Sequence, residues 1–465
     1  MTLPTLSRSY LELDDVFYTS QAPHPVMEPR VYVYNGKLAN QLNIDLEESE
    51  IEYYFSGNKI IPGTVPFAQA YAGHQFGHFT MLGDGRAIIL GEIRCKDDLY
   101  DIQLKGSGRT PYSRGGDGRA TLPTMLREYL VSEAMHHLKI PTTRSLCVIV
   151  SSDSVYREKK ESGSVLTRIA KSHIRIGTFE YAAFLGLRQL RQLFNYTIER
   201  HYPELTTHAN PAQAFLREVM RRQINLVVNW MRVGFIHGVM NTDNTSISGE
   251  TIDFGPCAFI NAYDDEKVYS SIDTYGRYSF GNQPSMAKWN IEMLADSILP
   301  LIDDDKKKAF NVAKEAISEF DDIFDDTYME MMGNKLGLVK KDAESKKMIG
   351  ELLGLMKKYQ RDYTNVFFKL SEKENPFTHE DEIDWFKSWK AMISKQDPEN
   401  TEKKMRSANP VVIPRNHRVE KAIRDRSEFQ DLLRVLENPY DNIKYDEEFQ
   451  NPPESEDGYM TFCGT

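Results

Sequence analysis

The sequence predicts an α+β protein of two lobes, a β-rich N-terminal one with a helix inserted among its strands and a larger helical C-terminal one. Two observations carry this. Up to about residue 178 short apolar runs are separated by glycine turns, and beyond about residue 180 apolar residues recur at helical spacing. The length of 465 residues accommodates both units. Apolar and charged contents of 40% and 27% are ordinary for a globular protein. A net charge of −11 disfavours nucleic acid as a partner. No run approaches the roughly 18 apolar residues of a membrane span, and the start, Met1-Thr-Leu-Pro-Thr-Leu-Ser-Arg, lacks an apolar targeting core. The four cysteines, Cys95, Cys147, Cys257 and Cys463, form no CxxC or zinc spacing. The expectation is a monomer in a reducing cytoplasm, with no membrane or nucleic-acid partner.

The N-terminal elements follow in order. Phe79-Thr-Met-Leu82 and Ala87-Ile-Ile-Leu90 flank Gly83-Asp84-Gly85-Arg86, which predicts a hairpin. Asp101-Ile-Gln-Leu104 predicts a strand ending in Lys105, followed by a loop over 106–118 too rich in glycine for regular structure. Leu122, Met125, Leu126, Tyr129, Met135 and Leu138 recur at helical spacing, with Pro123 in the first turn. Leu146-Cys-Val-Ile-Val150 and Ser164-Val-Leu-Thr167 predict two more strands.

In the C-terminal part, 211–231 is an amphipathic helix with Phe215, Val219, Leu226 and Trp230 on one stripe. A short strand–turn–strand is expected over Thr245–Ile252. From Lys288 to about residue 436 the pattern is helical, and charge runs such as Asp303-Asp-Asp-Lys-Lys-Lys308 predict solvated faces. The stretch 438–465 is acidic and interrupted by proline, which predicts an extended tail. The organisation expected is 1–178, 179–437 and this tail.

Between the amphipathic helix and the helical remainder lies His237-Gly-Val-Met-Asn-Thr-Asp243-Asn244, followed by Thr251-Ile-Asp253-Phe254-Gly255. The pair resembles the catalytic and metal-binding loops of protein kinases, and the element order is that of an atypical protein-kinase-like bilobal fold. A kinase carries a proton-accepting Asp two residues after the His. Here that position is Val239. Asn244 and Asp253 remain to hold a hard divalent cation together with nucleotide phosphates. Three readings stay open: an inert ATP-binding module, a phosphotransferase with Asp243 as a displaced base, or different chemistry on ATP.

The other candidates each have a plain structural alternative. Lys105 at a strand end and Glu128 on the next helix match the kinase ion pair, or are surface residues. Gly83, Gly85 and Arg86 could approach a phosphate, or only make a turn. Arg168 and Arg175 could clamp a pyrophosphate, or form structural salt bridges. Asp117 and Gly118 could meet a ribose, a metal or a backbone, or precede a helix start. Asp243 could be a base within reach of a hydroxyl, or a turn residue. His74 and His78 lack a third ligand at suitable spacing, so a metal there is not expected.

Ala70-Tyr-Ala-Gly-His-Gln-Phe-Gly-His78, Leu82-Gly-Asp-Gly-Arg86, Gln103–Ala120, Ser172-His-Ile-Arg175 and His237–Asn244 resemble the selenoprotein O family of protein adenylyltransferases. The resemblance implies ATP bound in a flipped orientation and AMP transferred to Ser, Thr or Tyr hydroxyls of protein partners. It implies a Lys105–Glu128 ion pair, nucleotide contacts from Gly83, Gly85, Arg86, Lys105, Asp117, Gly118, Arg168, Arg175 and Asp253, and Mg²⁺ or Mn²⁺ on Asn244 and Asp253. Asp243 is then the proton acceptor. Where the family has Tyr after the metal Asp, this chain has Phe254. The ending Thr461-Phe-Cys463-Gly-Thr465 resembles bacterial members with cysteine at a position where eukaryotic ones carry selenocysteine. On that basis a redox pairing of Cys463 with Cys257 stays open, with two unrelated free thiols as the plainer alternative.

Overall fold

The computed structural model describes residues 3–441, 447–456 and 458–462. Its strands are β1 (Tyr18–Ser20), β2 (Arg30–Tyr34), β3 (Phe67–Gln75), β4 (His78–Gly83), β5 (Ala87–Cys95), β6 (Asp98–Lys105), β7 (Ala120–Thr121), β8 (Arg144–Tyr156), β9 (Lys160–Ala170), β10 (Phe235–Ile236) and β11 (Ala258–Phe259). The first nine form one antiparallel sheet in the order β1-β3-β5-β6-β9-β8-β2, with β4 added on β3 and β7 on β9. The short helices α1 (Gly36–Gln41) and α2 (Glu48–Phe55) cover one face, where Leu38, Leu42, Ile51 and Phe55 meet Ile102, Leu104, Leu146 and Ile169. Helix α3 (Leu122–His137) covers the other face, with Met125, Leu126 and Leu130 against Val148 and Leu166. Alternation along β8 and β9 therefore feeds two separate cores, while β6 gives Ile102 and Leu104 to the first alone.

Helices dominate from α4 (Ile176–Leu185) onward: α5 (Leu187–His201), α6 (Pro211–Arg232), α7 (Gln283–Ile302) and further helices to Leu436. Asn210 caps α6 by accepting from the Gln213 N–H, and Phe215, Val219, Leu226 and Trp230 are all in the core, as their stripe predicts. The run from Asp303 to Lys308 is exposed, and Asp305 caps the following helix. Just after α6, β10 pairs with β11. That short ladder closes the base of the loops over 237–257, which carry the kinase-like motifs.

Three expectations are corrected. The hairpin between Phe79–Leu82 and Ala87–Leu90 does not form. β4 instead pairs with β3, from Gln75↔His78 to Ala70↔Gly83, and β5 pairs with β6 and with Phe67. The real hairpin turn is Phe76-Gly77, both at positive φ, and 83–86 is a connection between strands. Second, Thr245–Ile252 forms no strand pair. Its backbone bonds outward instead, with Ile247 N–H to Ile174 O at 3.0 Å, Thr251 N–H to Pro141 O at 2.9 Å and Thr143 N–H to Thr251 O at 3.0 Å. Third, the tail is not wholly extended, because Glu447–Gln450 makes a helical turn. The strand β3 itself was not predicted. Alanine and glycine occupy half of it and carry little strand signal.

Those small residues have a steric reason. A Cβ on Gly177, in the first turn of α4, would stand 2.0 Å from the Ala72 carbonyl oxygen. Helix and strand are thus in backbone contact. Gly177→Ala is expected to cost about 1–3 kcal/mol by overpacking, read as a lower urea midpoint with an unchanged m-value.

Candidate active site

Four charged side chains converge where β6, β9, α3 and the Asp253 loop meet. Lys105 Nζ donates to Glu128 Oε2 at 2.7 Å and to Asp253 Oδ1 at 2.8 Å. Arg168 Nε donates to Glu128 Oε1 at 3.0 Å, a second nitrogen bonds the same oxygen, and Nη2 donates to Asp253 Oδ1 at 2.8 Å. Burial alone would raise the pKa of both carboxyls. For Glu128 the Arg168 and Lys105 charges outweigh it, and for Asp253 Lys105, Arg168 and Arg175 hold it well below the carboxylate range. Arg168 is buried and stays cationic: its burial is opposed by Glu128 and Asp253.

Arg175 is also buried, over the Tyr71 ring at 4.3 Å, with Nη1 donating to His173 O at 2.8 Å and Nη2 3.6 Å from Asp84. Asp84, which local sequence marks only as a turn residue, is buried and accepts from the Gln69 N–H and the Gln103 amide, each at 3.3 Å. Its neighbours Gly83 and Gly85 are shaped by the loop above them. A Cβ at 83 would lie 2.3 Å from Tyr112 Cγ, and one at 85 would lie 2.9 Å from Tyr112 O. The Arg86 carbonyl accepts from Gly106 N–H at 2.7 Å, so turn and loop are one packed unit. Asp117 does not start a helix. It accepts from Arg119 N–H at 2.9 Å and pairs with Arg157 at 2.8 Å, while Gly118 seats its Cα against the Gly108 backbone.

The catalytic-loop residues are held from several sides. His237 stacks on Trp230 at 5.3 Å, and burial lowers its pKa, so the neutral ring donates from Nε2 to Ile252 O at 2.8 Å. Asn244 donates from Nδ2 to Val239 O at 3.1 Å, which leaves Oδ1 as the acceptor of that side chain. Asp253 has φ of +64°, a left-handed backbone uncommon for a non-glycine residue. Asp243 is 8% exposed, accepts from Gln75 Nε2 at 3.3 Å through Oδ2, and has Oδ1 without a partner. Burial pushes its pKa up to about 6. A Cβ on Gly73 would lie 2.7 Å from that same Oδ1, so a glycine makes the room Asp243 occupies.

Asn244 and Asp253, both half-buried, carry the oxygen donors that suit a hard cation drawing its remaining ligands from phosphates and water. Among the described residues no cluster of three or more His, Cys, Asp or Glu could hold a metal unaided. His74 is spoken for: its Nδ1 bonds the Glu180 carboxylate, and His78 is exposed. Cys463 lies outside the described residues, so the Cys257 pairing has no geometry to report. Cys257 is buried, with its thiol pushed up to about 12 by burial. The described end of the tail runs beside it, with Thr461 Oγ1 donating to Pro256 O at 2.6 Å and Thr461 bridged to Ser270.

Residues 5–438 match the family model described as protein adenylyltransferase SelO. Relatives of nearly equal length are each named protein nucleotidyltransferase YdiU. The one from Anoxybacillus flavithermus is 50% identical over 471 residues, covering 98% of each chain. The one from Bacillus cereus strain B4264 is 48% identical over 478 residues, covering 99% of this chain and 98% of its own. The one from Brevibacillus brevis is 48% identical over 476 residues, covering 98% and 97%.

Removing Arg168 would leave two carboxylates compensated by one lysine. Arg168→Met is expected to destabilise the fold by about 3–5 kcal/mol, measured by denaturant unfolding at pH 7. Glu128 and Asp253 have folded pKa values below their unfolded ones, so their contribution is present above the ordinary carboxylate range of about 4 and is lost as pH falls through and below it. Unfolding midpoints taken from pH 7 down to about pH 3 should fall more steeply for the native chain than for Arg168→Met.

Proposed function

The chain belongs to the SelO family of protein adenylyltransferases, and from that premise we propose that it transfers AMP from ATP to Ser, Thr or Tyr hydroxyls of proteins, releasing diphosphate. The single observation that carries this reading is the pairing of an intact cation–carboxylate cluster with a displaced acceptor. Lys105, Glu128, Arg168 and Asp253 are mutually bonded, Val239 stands where a kinase base would be, and the buried Asp243 offers one unpartnered oxygen.

Lys105 and Arg168 are the cations available to the triphosphate, with Arg175 behind them. Glu128 orients both by accepting from each. Asn244 and Asp253 would hold Mg²⁺ or Mn²⁺ through their side-chain oxygens. That ion, when bound, neutralises phosphate charge at the α-phosphorus and on the leaving diphosphate. Gly83, Gly85 and Arg86 at the packed turn, and Asp117 and Gly118 on the loop, complete the proposed nucleotide contacts. Asp243 takes the hydroxyl proton on Oδ1. Its raised pKa makes it a better base than an exposed aspartate, while it remains mostly ionised at neutral pH. An acceptor placed beside Asn244 rather than at Val239 fits attack at a phosphorus other than the γ. The enclosing fold is proposed as an atypical kinase-like bilobal one, with lobes meeting near residue 178. Among the described residues no helix is long and apolar enough to cross a membrane, and a bacterial cytoplasm is proposed as the setting.

The deciding experiment incubates the protein with a bacterial protein extract and either α- or γ-labelled ATP, with Mg²⁺ or Mn²⁺, beside Asp253→Ala. Label on protein from α-labelled ATP alone, lost in Asp253→Ala, is expected. Label from γ-labelled ATP alone would make it a phosphotransferase. ATP binding without any label would make it an inert module.

A further inference from the structure

The tip of the β3–β4 hairpin is bonded residue by residue to the catalytic loop. His74 N–H donates to Thr242 Oγ1 at 2.7 Å, Gln75 Nε2 to Asp243 Oδ2 at 3.3 Å, and Phe76 N–H to Asn241 Oδ1 at 3.0 Å. Glu180 of α4 closes the arrangement, its carboxylate accepting from the His74 ring and from the Thr242 hydroxyl. Tyr278 donates to the same Asn241 oxygen from the other side. His74 and Phe76 bond the loop through their main-chain N–H groups. Among the described residues, Gln75 alone donates a side-chain hydrogen bond to the loop's acidic residue.

From this we infer that Gln75 is the positioning residue for Asp243: its amide fixes one carboxylate oxygen so that the other, Oδ1, faces the incoming hydroxyl. The inference rests on the reading of Asp243 as proton acceptor. A carboxylate only accepts, so the Gln75 amide must present its NH₂ group to it. With Oδ2 engaged, rotation about the carboxyl bond would break that hydrogen bond. Oδ1 is buried and has no partner among the described residues, so no protein donor competes for it. Gly73, two residues before Gln75 and on the same face of β3, leaves the space into which Oδ1 projects. No other side chain donates a hydrogen bond to Asp243 among the described residues. The position is therefore one on which geometry depends and for which no substitute is at hand.

Gln75→Met keeps the length of the side chain and removes the donor. With α-labelled ATP, Mg²⁺ and a bacterial protein extract as acceptor, it should lower the labelling rate at saturating ATP by about 10- to 100-fold. The KM for ATP and the thermal midpoint should stay as in the native chain. Gln75→His returns an N–H donor at similar reach and should recover much of the rate. In an Asp243→Asn background, Gln75→Met should cause no further loss, because it acts through Asp243. A native rate in Gln75→Met, or an additive loss in the double variant, overturns the inference. So does a rate loss that Gln75→His does not relieve, since that marks a purely structural role. If Gln75→Met lacks a melting transition, Gln75→Glu reads the same question: it is isosteric, replaces the donor with a second carboxylate, and must also lose rate. A fully active Asp243→Asn would instead overturn the acceptor assignment itself, which separates failure of that reading from failure of the role given to Gln75.

Discussion

Most of the site hangs on one carboxylate oxygen. Asp253 Oδ1 accepts from both Lys105 and Arg168, while Glu128 accepts from the same two cations. Four groups from β6, β9, α3 and the Asp253 loop are thereby tied together in a place where no single charge could stay unpaired. Each ion is affordable only because the others are present. The strand ends that carry Lys105 and Arg168 are adjacent in the sheet, Gln103 facing Arg168 and Lys105 facing Leu166. Register in the sheet thus sets the spacing of the two cations, and α3, packed on the sheet by Met125 and Leu126, sets where Glu128 can reach them.

A second constraint is steric. Gly73 and Gly177 bring β3, α4 and the catalytic loop closer than any side chain would allow. The contact lets backbone groups of β3 bond directly to side chains of the loop, and it encloses Asp243. Burial of the proposed acceptor and rigidity of its surroundings therefore have the same origin, the missing Cβ atoms. Substitution there is punished twice, in packing and in the environment of Asp243.

Legibility in the sequence followed the strength of local signals. The amphipathic stripe of α6, the inserted helix α3 and the alternating parts of β6, β8 and β9 are readable, because their burial imposes a period. Lys105, Glu128, Arg168 and Asp253 are separated by up to 148 positions, so periodicity could not join them; the kinase-like loops and the family resemblance did. The hairpin was misread because Asp84-Gly85 has strong local turn chemistry, yet β3 captured both neighbouring strands. β3 stayed hidden because its small residues answer to α4 rather than to strand propensity. Gln75 lies inside the Ala70–His78 motif without a chemical signal of its own, and the fold shows that this glutamine meets Asp243. The span Thr245–Ile252 looked like a hairpin because local pattern cannot register that its hydrogen bonds go to residues 141–143 and 174–176.

The exchange of a kinase-type acid for Val239 also has a backbone logic. Val239 is buried, its carbonyl accepts from Asn244, and its N–H donates to His237 Nδ1 at 3.4 Å. The position serves the loop through its main chain, so its side chain is free to be apolar. Asn244 is then aligned by the very residue that lost the acid, while Asp243, one residue earlier, is aligned by β3. The proposed proton acceptor and the proposed metal contact are neighbours in sequence but are held by different parts of the fold, one by the hairpin tip and the other by the loop's own backbone. A loop built this way can keep its metal contact while the acceptor is tuned separately by whatever β3 presents to it.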